Sequence, residues 1–313
     1  MTDDVVDSIA DNIEALTINE ESREQSCELV LDEISKGPII ICDAWYGFPT
    51  QARPRLERIR AVAKQIYNFV IWKHLILQEK KIPMKACSMA IVIGEKDDII
   101  AVQERVEEWL EKSNELKDAI SFSLKNYCIF LPGKKLEDLS IDLSNCIRSR
   151  MVKSQNEESK SIKLPSIAYL SPDADESIPA SQTPPMHVIV GMLVDRKVQP
   201  NRSKSRAESI QINDEEQTMS IEPKQLSLNA LNVSDLSQDE PLNIDTVMEM
   251  MERWWINAKY RDGSSESKRI LHFRDAAARS LLTHRQRHPN RTIHGGTAKD
   301  GKDTTETNMG TRK

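Results

Sequence analysis

The chain has 313 residues, 39% of them hydrophobic and 29% charged, with a net charge of −6 and a mean hydropathy of −0.51. That length fits one good-sized domain with extensions or two small ones, and the low apolar share fits a folded middle with polar ends. No run of eighteen apolar residues occurs, so no membrane-spanning helix and no membrane partner is expected.

The charge is unevenly spread. Residues 1–36 hold eleven acids against Arg23 and Lys36, whereas residues 261–313 hold twelve Lys or Arg against six acids, with four of the six histidines. Such ends read as solvated, weakly ordered extensions or as interaction segments, and nucleic acid is the natural partner of the basic one. The acidic start resembles neither a signal peptide nor an arginine-rich transit peptide. Five scattered cysteines (Cys27, Cys42, Cys87, Cys128, Cys146) lack CxxC spacing, which points to a reducing compartment rather than a zinc or disulfide framework.

Taken in chain order, Gly37-Pro38 closes the acidic leader and opens a buried-strand pattern over 39–45. Apolar residues then recur at helical spacing over 55–81. Arg53, Arg55, Arg58, Arg60 and Lys64 crowd that helix's first turns, a poor match to its dipole, so they suit either an anionic partner or a solvated face. A second strand is predicted over 88–93, an amphipathic helix over 97–116, a third strand over 127–131 and a weaker helix over 135–150. A polar connector at 153–161 leads to strands over 167–171 and 187–193. A short helix at 203–210 and an edge strand at 218–221 follow. The residues Asn243-Ile-Asp-Thr-Val-Met-Glu-Met-Met-Glu-Arg-Trp-Trp255 form a clear helix, which Asn243 or Asp245 can cap. A last helical patch lies at 270–282, and disorder is expected past Gln286. Strands alternating with helices predict an α/β fold around a mainly parallel sheet.

The chemistry concentrates at strand ends. The run from His187 to Leu193 is apolar except for Gly191, as in a strand buried on both faces, and it delivers Asp195 with Arg196 and Lys197 to one edge. In open α/β sheets that carboxyl edge is where ligands bind, although a strand-end Asp also suits turn formation. The chain has no GxGxxG after its first strand, no Walker loop, no GxSxG and no HExxH. His74 and His187 are too dispersed to suggest a metal site.

Four segments together resemble the SPOUT-type tRNA methyltransferases that modify N1 of the purine at tRNA position 9. They are Tyr169-Leu-Ser-Pro-Asp173, Val190-Gly-Met-Leu-Val-Asp195, Ser203-Lys-Ser-Arg-Ala207 and Leu242-Asn-Ile-Asp-Thr-Val-Met-Glu-Met250. Pro38-Ile-Ile-Ile-Cys-Asp43 is similar to the family's opening strand. Gly191-Met192 and the loop that follows look closest to the branch serving as the methyltransferase subunit of mitochondrial ribonuclease P.

The resemblance implies a SPOUT-type trefoil-knotted, mainly parallel sheet flanked by helices over residues 37–260. Flexible extensions would flank it: the acidic leader, 1–36, and a basic tail, 261–313, partly helical and then disordered. It implies S-adenosyl-L-methionine as cofactor, held by Leu170, Ser171, Gly191, Val194, Ile221, Asn243, Ile244 and Val247. Gly191 suits that role because a missing side chain permits close approach. Asp195 would be the general base, since N1 of neutral guanine carries a proton that must leave. Arg196, Lys197, Arg202, Lys204 and Arg206 would bind RNA phosphates. The implied partners are tRNA or precursor tRNA, with a short-chain-dehydrogenase-like subunit and a nuclease subunit. The implied compartment is the mitochondrion, although no presequence is visible, with the nucleus or cytoplasm as the alternative. The chain departs from the family at Met219-Ser-Ile-Glu222, which lacks the usual Leu-Pro and precedes an apparent insertion at 224–240. That departure keeps a second reading open, a catalytically weak tRNA-binding scaffold for a separate nuclease.

Overall fold

The structure is a computed structural model, and it describes residues 31–32, 35–45, 48–83, 87–116, 122–154, 164–192, 201–210, 218–228, 242–260 and 265–287. Seven strands make one parallel sheet: β1 (Ile39–Asp43), β2 (Met89–Gly94), β3 (Cys128–Pro132), β4 (Ile167–Leu170), β5 (Ser177–Ile178), β6 (His187–Gly191) and β7 (Ile221–Leu226), in the order β3-β2-β1-β6-β4-β7-β5. Six helices are described: α1 (Ala52–Lys80), α2 (Lys96–Glu111), α3 (Leu136–Ser154), α4 (Arg202–Ser209), α5 (Ile244–Tyr260) and α6 (Glu266–Arg287). The predicted α/β architecture with a parallel sheet is therefore observed.

The unbroken apolar character of β1 and β6 follows from burial on both faces, because helices cover each side. On one face Ile40 and Cys42 of β1 join Val62, Ile66 and Phe69 of α1 and Met248, Met251 and Trp254 of α5. On the other, Ile39 and Ile41 join Leu136, Leu139 and Leu143 of α3 and Ala207 of α4. The helix expected at 270–282 is longer, and its Phe273, Ala276, Ala277 and Leu281 are buried, so α6 belongs to the packed body. Phe273 meets Trp254 of α5 edge-on at 4.7 Å between ring centroids.

The edge strand expected at 218–221 begins where that span ends and runs on to Leu226, through residues that looked like an insertion. It tolerates Pro223 because of the strand's pairing parity. The carbonyls of Ser220 and Lys224 accept from Ile167 and Ser171 of the β4 side, whereas the Gln225 amide donates to Glu176 on the other side. The amide that Pro223 lacks would point to that second side, where β5 pairs only with Gln225 and Leu226.

At the end of β2, Gly94 permits close packing of α2. A Cβ there would lie 2.9 Å from Ile99 Cδ1 and 3.2 Å from Ala44 Cβ. Gly94→Ala is expected to cost about 1–3 kcal/mol by overpacking. Urea unfolding reads this, and a variant as stable as the parent would show that α2 yields freely.

Candidate active site at the carboxyl edge of the sheet

The strand order creates one crevice. From β1 the chain leaves through α1 on one face to reach β2, whereas from β6 it leaves through α4 on the opposite face to reach β7. Adjacent strands whose connections depart to opposite sides open a cleft at their carboxyl ends, the usual ligand position in such sheets. Here the two strands are β1 and β6, and Asp43 is in register with Gly191.

Asp43 is the fully buried carboxylate at that point. Its Oδ1 accepts from the Trp45 amide at 3.0 Å, and its Oδ2 accepts from the Tyr169 hydroxyl at 3.1 Å and Arg206 Nε at 3.2 Å. Its backbone carbonyl accepts from the Met192 amide at 2.8 Å. Burial works against the Arg206 charge, but Asp43 beside it overcomes this and holds the guanidinium above its ordinary range.

The start of α5 reaches the same edge because the helix runs antiparallel to the strands. Met248 Sδ lies 4.0 Å from Cys42 Sγ near the end of β1, whereas further along Trp255 Nε1 donates to Pro185 O, ahead of β6, at 2.9 Å. Asn243, Ile244 and Val247 therefore stand with Leu170, Ser171 and Gly191 at the carboxyl edge. Ile221 does not: it is the first residue of β7, paired with Ile167 at the opposite, amino edge. At the edge itself, β7 presents Lys224 to Leu226. Val194 lies outside the described residues, as do the expected base Asp195 and the expected phosphate ligands Arg196 and Lys197.

The remaining expected RNA ligands lie on α4. Lys204 pairs with Asp175 at 2.7 Å, and that hydrogen bond holds its ammonium above the ordinary range. Arg206 turns inward to Asp43, with Glu137 at 4.0 Å, so it serves the crevice floor rather than an outer phosphate track. Arg202 opens the helix and is partly buried. Ser203 Oγ donates to Ser171 Oγ at 2.8 Å, which seats α4 on the loop after β4.

An S-adenosylmethionine-like molecule needs an apolar slot for its base and backbone groups for its polar atoms. Leu242, Ile244, Val247, Leu226 and Leu228 are only partly buried where they pack on the core at this edge, and Ser171 and the strand-end backbone supply polar groups. This donor set fits such a molecule.

Sequence reading assigned no role to Asp43 or Tyr169. The signal for Asp43 was present, since an apolar run ending in a carboxylate is the same pattern that singled out Asp195.

Behind the α5 start, Asp245 and Glu249 are buried and both pair with Arg287, the last residue of α6. Asn68 Nδ2 adds a bond to Asp245 at 2.8 Å, and Thr246 Oγ1 meets His284 Nδ1 at 2.9 Å. Burial pushes the Glu249 carboxyl from 4.5 up to about 7, although Arg287 and Arg253 pull the other way. A carboxyl raised in the folded state holds its proton more tightly folded than unfolded. Its contribution to stability is present below pH 4.5 and is lost as the pH rises through about 7. Glu249→Gln is expected to flatten that decline in urea titrations between pH 5 and pH 8, and parallel profiles would refute this.

Among the described residues no group of His, Cys, Asp and Glu is arranged to hold a metal ion. No family model matches the chain, and no curated protein matches it. Among solved structures, it is similar to full-length spTrm10 in complex with SAH, at 13% identity and a TM-score of 0.39, over 78% of this chain and 96% of that one. It is also similar to a dual-specific Trm10 of Thermococcus kodakaraensis, at 13% identity and a TM-score of 0.35, over 75% of this chain and 99% of that one.

Proposed function

We propose that this chain is an S-adenosylmethionine-dependent methyltransferase acting on N1 of the purine at tRNA position 9. The observation that carries the reading is convergence. Leu170-Ser171, Gly191, Ser203–Arg206 and Asn243–Val247 belong to four separate segments, each resembling a family motif, and all stand at one switch-point crevice. Bound there, S-adenosylmethionine supplies a methyl group already activated by its sulfonium. The chain's tasks are then to exclude water, align guanine N1 with that methyl and receive the N1 proton, the last being the role of Asp195. Leu170, Ser171, Gly191, Asn243, Ile244 and Val247 hold the cofactor, and a SPOUT-type trefoil knot is expected of the C-terminal part of the domain.

In its finer form the proposal makes the chain the methyltransferase subunit of mitochondrial ribonuclease P, acting with a dehydrogenase-like subunit and a nuclease subunit in tRNA 5′-end processing. A second reading, a tRNA-binding scaffold with weak catalysis, is favoured by one observation: Met219-Ser-Ile-Glu222, which leads into β7, lacks the Leu-Pro of the family's pocket wall. Incubating the purified chain with tRNA and methyl-labelled cofactor, then mapping the modified base, separates the two. Label at N1 of purine 9 supports the enzyme. Micromolar or tighter tRNA binding without transfer leaves the scaffold.

A further inference from the structure

Residues 192 and 201 are held at the carboxyl edge, and both attachments lead to Asp43 or to the loop beside it. At the end of β6, Gly191 is in register with Asp43, and the Met192 amide donates to the Asp43 carbonyl at 2.8 Å. At the start of α4, the Asn201 amide donates to Asp173 Oδ2 at 2.6 Å, Ser203 bonds Ser171, and Arg206 reaches the Asp43 carboxylate. Asn201 sits at φ 61, a left-handed conformation that non-glycine residues adopt at a cost and that here starts α4 directly above the loop after β4.

We propose that Asp43 is a two-ended clamp and that Arg206 is a positioning residue acting through it. The main chain of Asp43 fixes the end of β6, and its side chain fixes α4. Asp43 thereby holds both ends of the connection that carries Asp195, with Asp173 and Ser171 adding to the hold on the α4 end. Three features support a clamp over a surface ion pair. The carboxylate is fully buried, so losing its cation leaves a buried charge without its partner. Tyr169, itself fully buried on β4, holds the same oxygen that Arg206 holds, which ties β1, β4 and α4 at one atom. The planar guanidinium meets Asp43 on one side and Glu137 of α3 on the other, a geometry that lysine cannot copy.

The proposal rests on the methyltransferase reading only for its catalytic consequence, so the test has two arms. In the first, amide hydrogen exchange is measured on the purified chain without RNA. Arg206→Gln is expected to speed exchange across α4 at least tenfold, with Asp43→Asn doing the same and the double variant adding little. In the second, Arg206→Gln is expected to lower kcat for tRNA methylation at least tenfold with tRNA affinity within twofold of the parent. Arg206→Lys should recover only part of this. Unchanged α4 exchange in Arg206→Gln would overturn the clamp, as would a tRNA affinity loss with a shallower salt dependence, the signature of a lost phosphate contact. If α4 loosens as expected while the parent chain transfers no methyl group, the clamp stands and the methyltransferase reading falls.

Discussion

Lys73→Met is expected to destabilise the protein by about 3–5 kcal/mol, the range for stripping one partner from a buried ion pair. At this chain length such a loss lowers Tm by roughly 5–10 °C. Lys73 and Glu252 both have side chains fully out of water, with Nζ 3.4 Å from Oε2. Between them lies Ser88, at the amino end of β2. Lys73 donates to the Ser88 carbonyl and to its hydroxyl, and the Ser88 amide donates to both Glu252 oxygens at 3.2 Å. The Ser88 hydroxyl also bonds Glu252. One cluster therefore ties α1, β2 and α5 together at the edge opposite the crevice. Removing the ammonium, which lies 5.6 Å from the Phe69 ring centroid, leaves the fully buried Glu252 carboxylate without its cation. Lys73→Met combined with Glu252→Gln should recover more than half of the loss, because glutamine still accepts from Ser88 and no charge remains. Thermal unfolding of the three variants decides it. A single variant within 2 °C of the parent would mean that water or rearrangement satisfies Glu252, contrary to its burial.

Asp195→Asn is expected to lower methyl transfer to guanine 9 by about 10²–10⁴-fold, the usual contribution of a placed general base. Its effect on tRNA affinity should stay within twofold. The same change should matter far less on a tRNA with adenine at position 9, because adenine N1 carries no proton to remove. That contrast between substrates separates base catalysis from general damage to the site. Equal losses of transfer and binding, or equal losses on both bases, would make Asp195 a structural residue. The placement of Gly191 at the switch point, four positions earlier, gives this prediction its location.

Much of the fold was legible because its elements carry local patterns. β1, β2, β3, β4 and β6 are short apolar runs bounded by Gly, Pro or polar residues, and each lies within two residues of its predicted span. The helices α1, α2 and α5 show their apolar residues at helical spacing. β7 was misplaced because Ile-Glu-Pro-Lys-Gln-Leu has neither alternation nor a continuous apolar run. It is a strand only because β4 offers it a ladder, with Leu170 opposite Lys224. α6 was read too short because its outer face carries Arg274, Arg279 and Arg285, and its membership of the core depends on Trp254 lying beneath it.

The site was legible in its pieces and not in its assembly. Ser171, Gly191 and Asn243 were found as strand-end and helix-start residues, but Arg206 was taken for a phosphate ligand because a cation on a short polar helix looks solvent-facing. Its partner Asp43 lies 163 positions away.

By itself, then, the sequence determined the apolar runs that become β1, β2, β3, β4 and β6 and the helices α1, α2 and α5, and that a carboxylate ends β1. Burial periodicity and turn chemistry act over a few residues, so they can be read locally. The tertiary structure alone decided the order β3-β2-β1-β6-β4-β7-β5, and with it the pairing of Asp43 with Gly191 and Arg206. Several apolar runs of equal length could have paired with β1. The choice depends on which helices cover each face and in which direction each crossover leaves, quantities that no single segment contains.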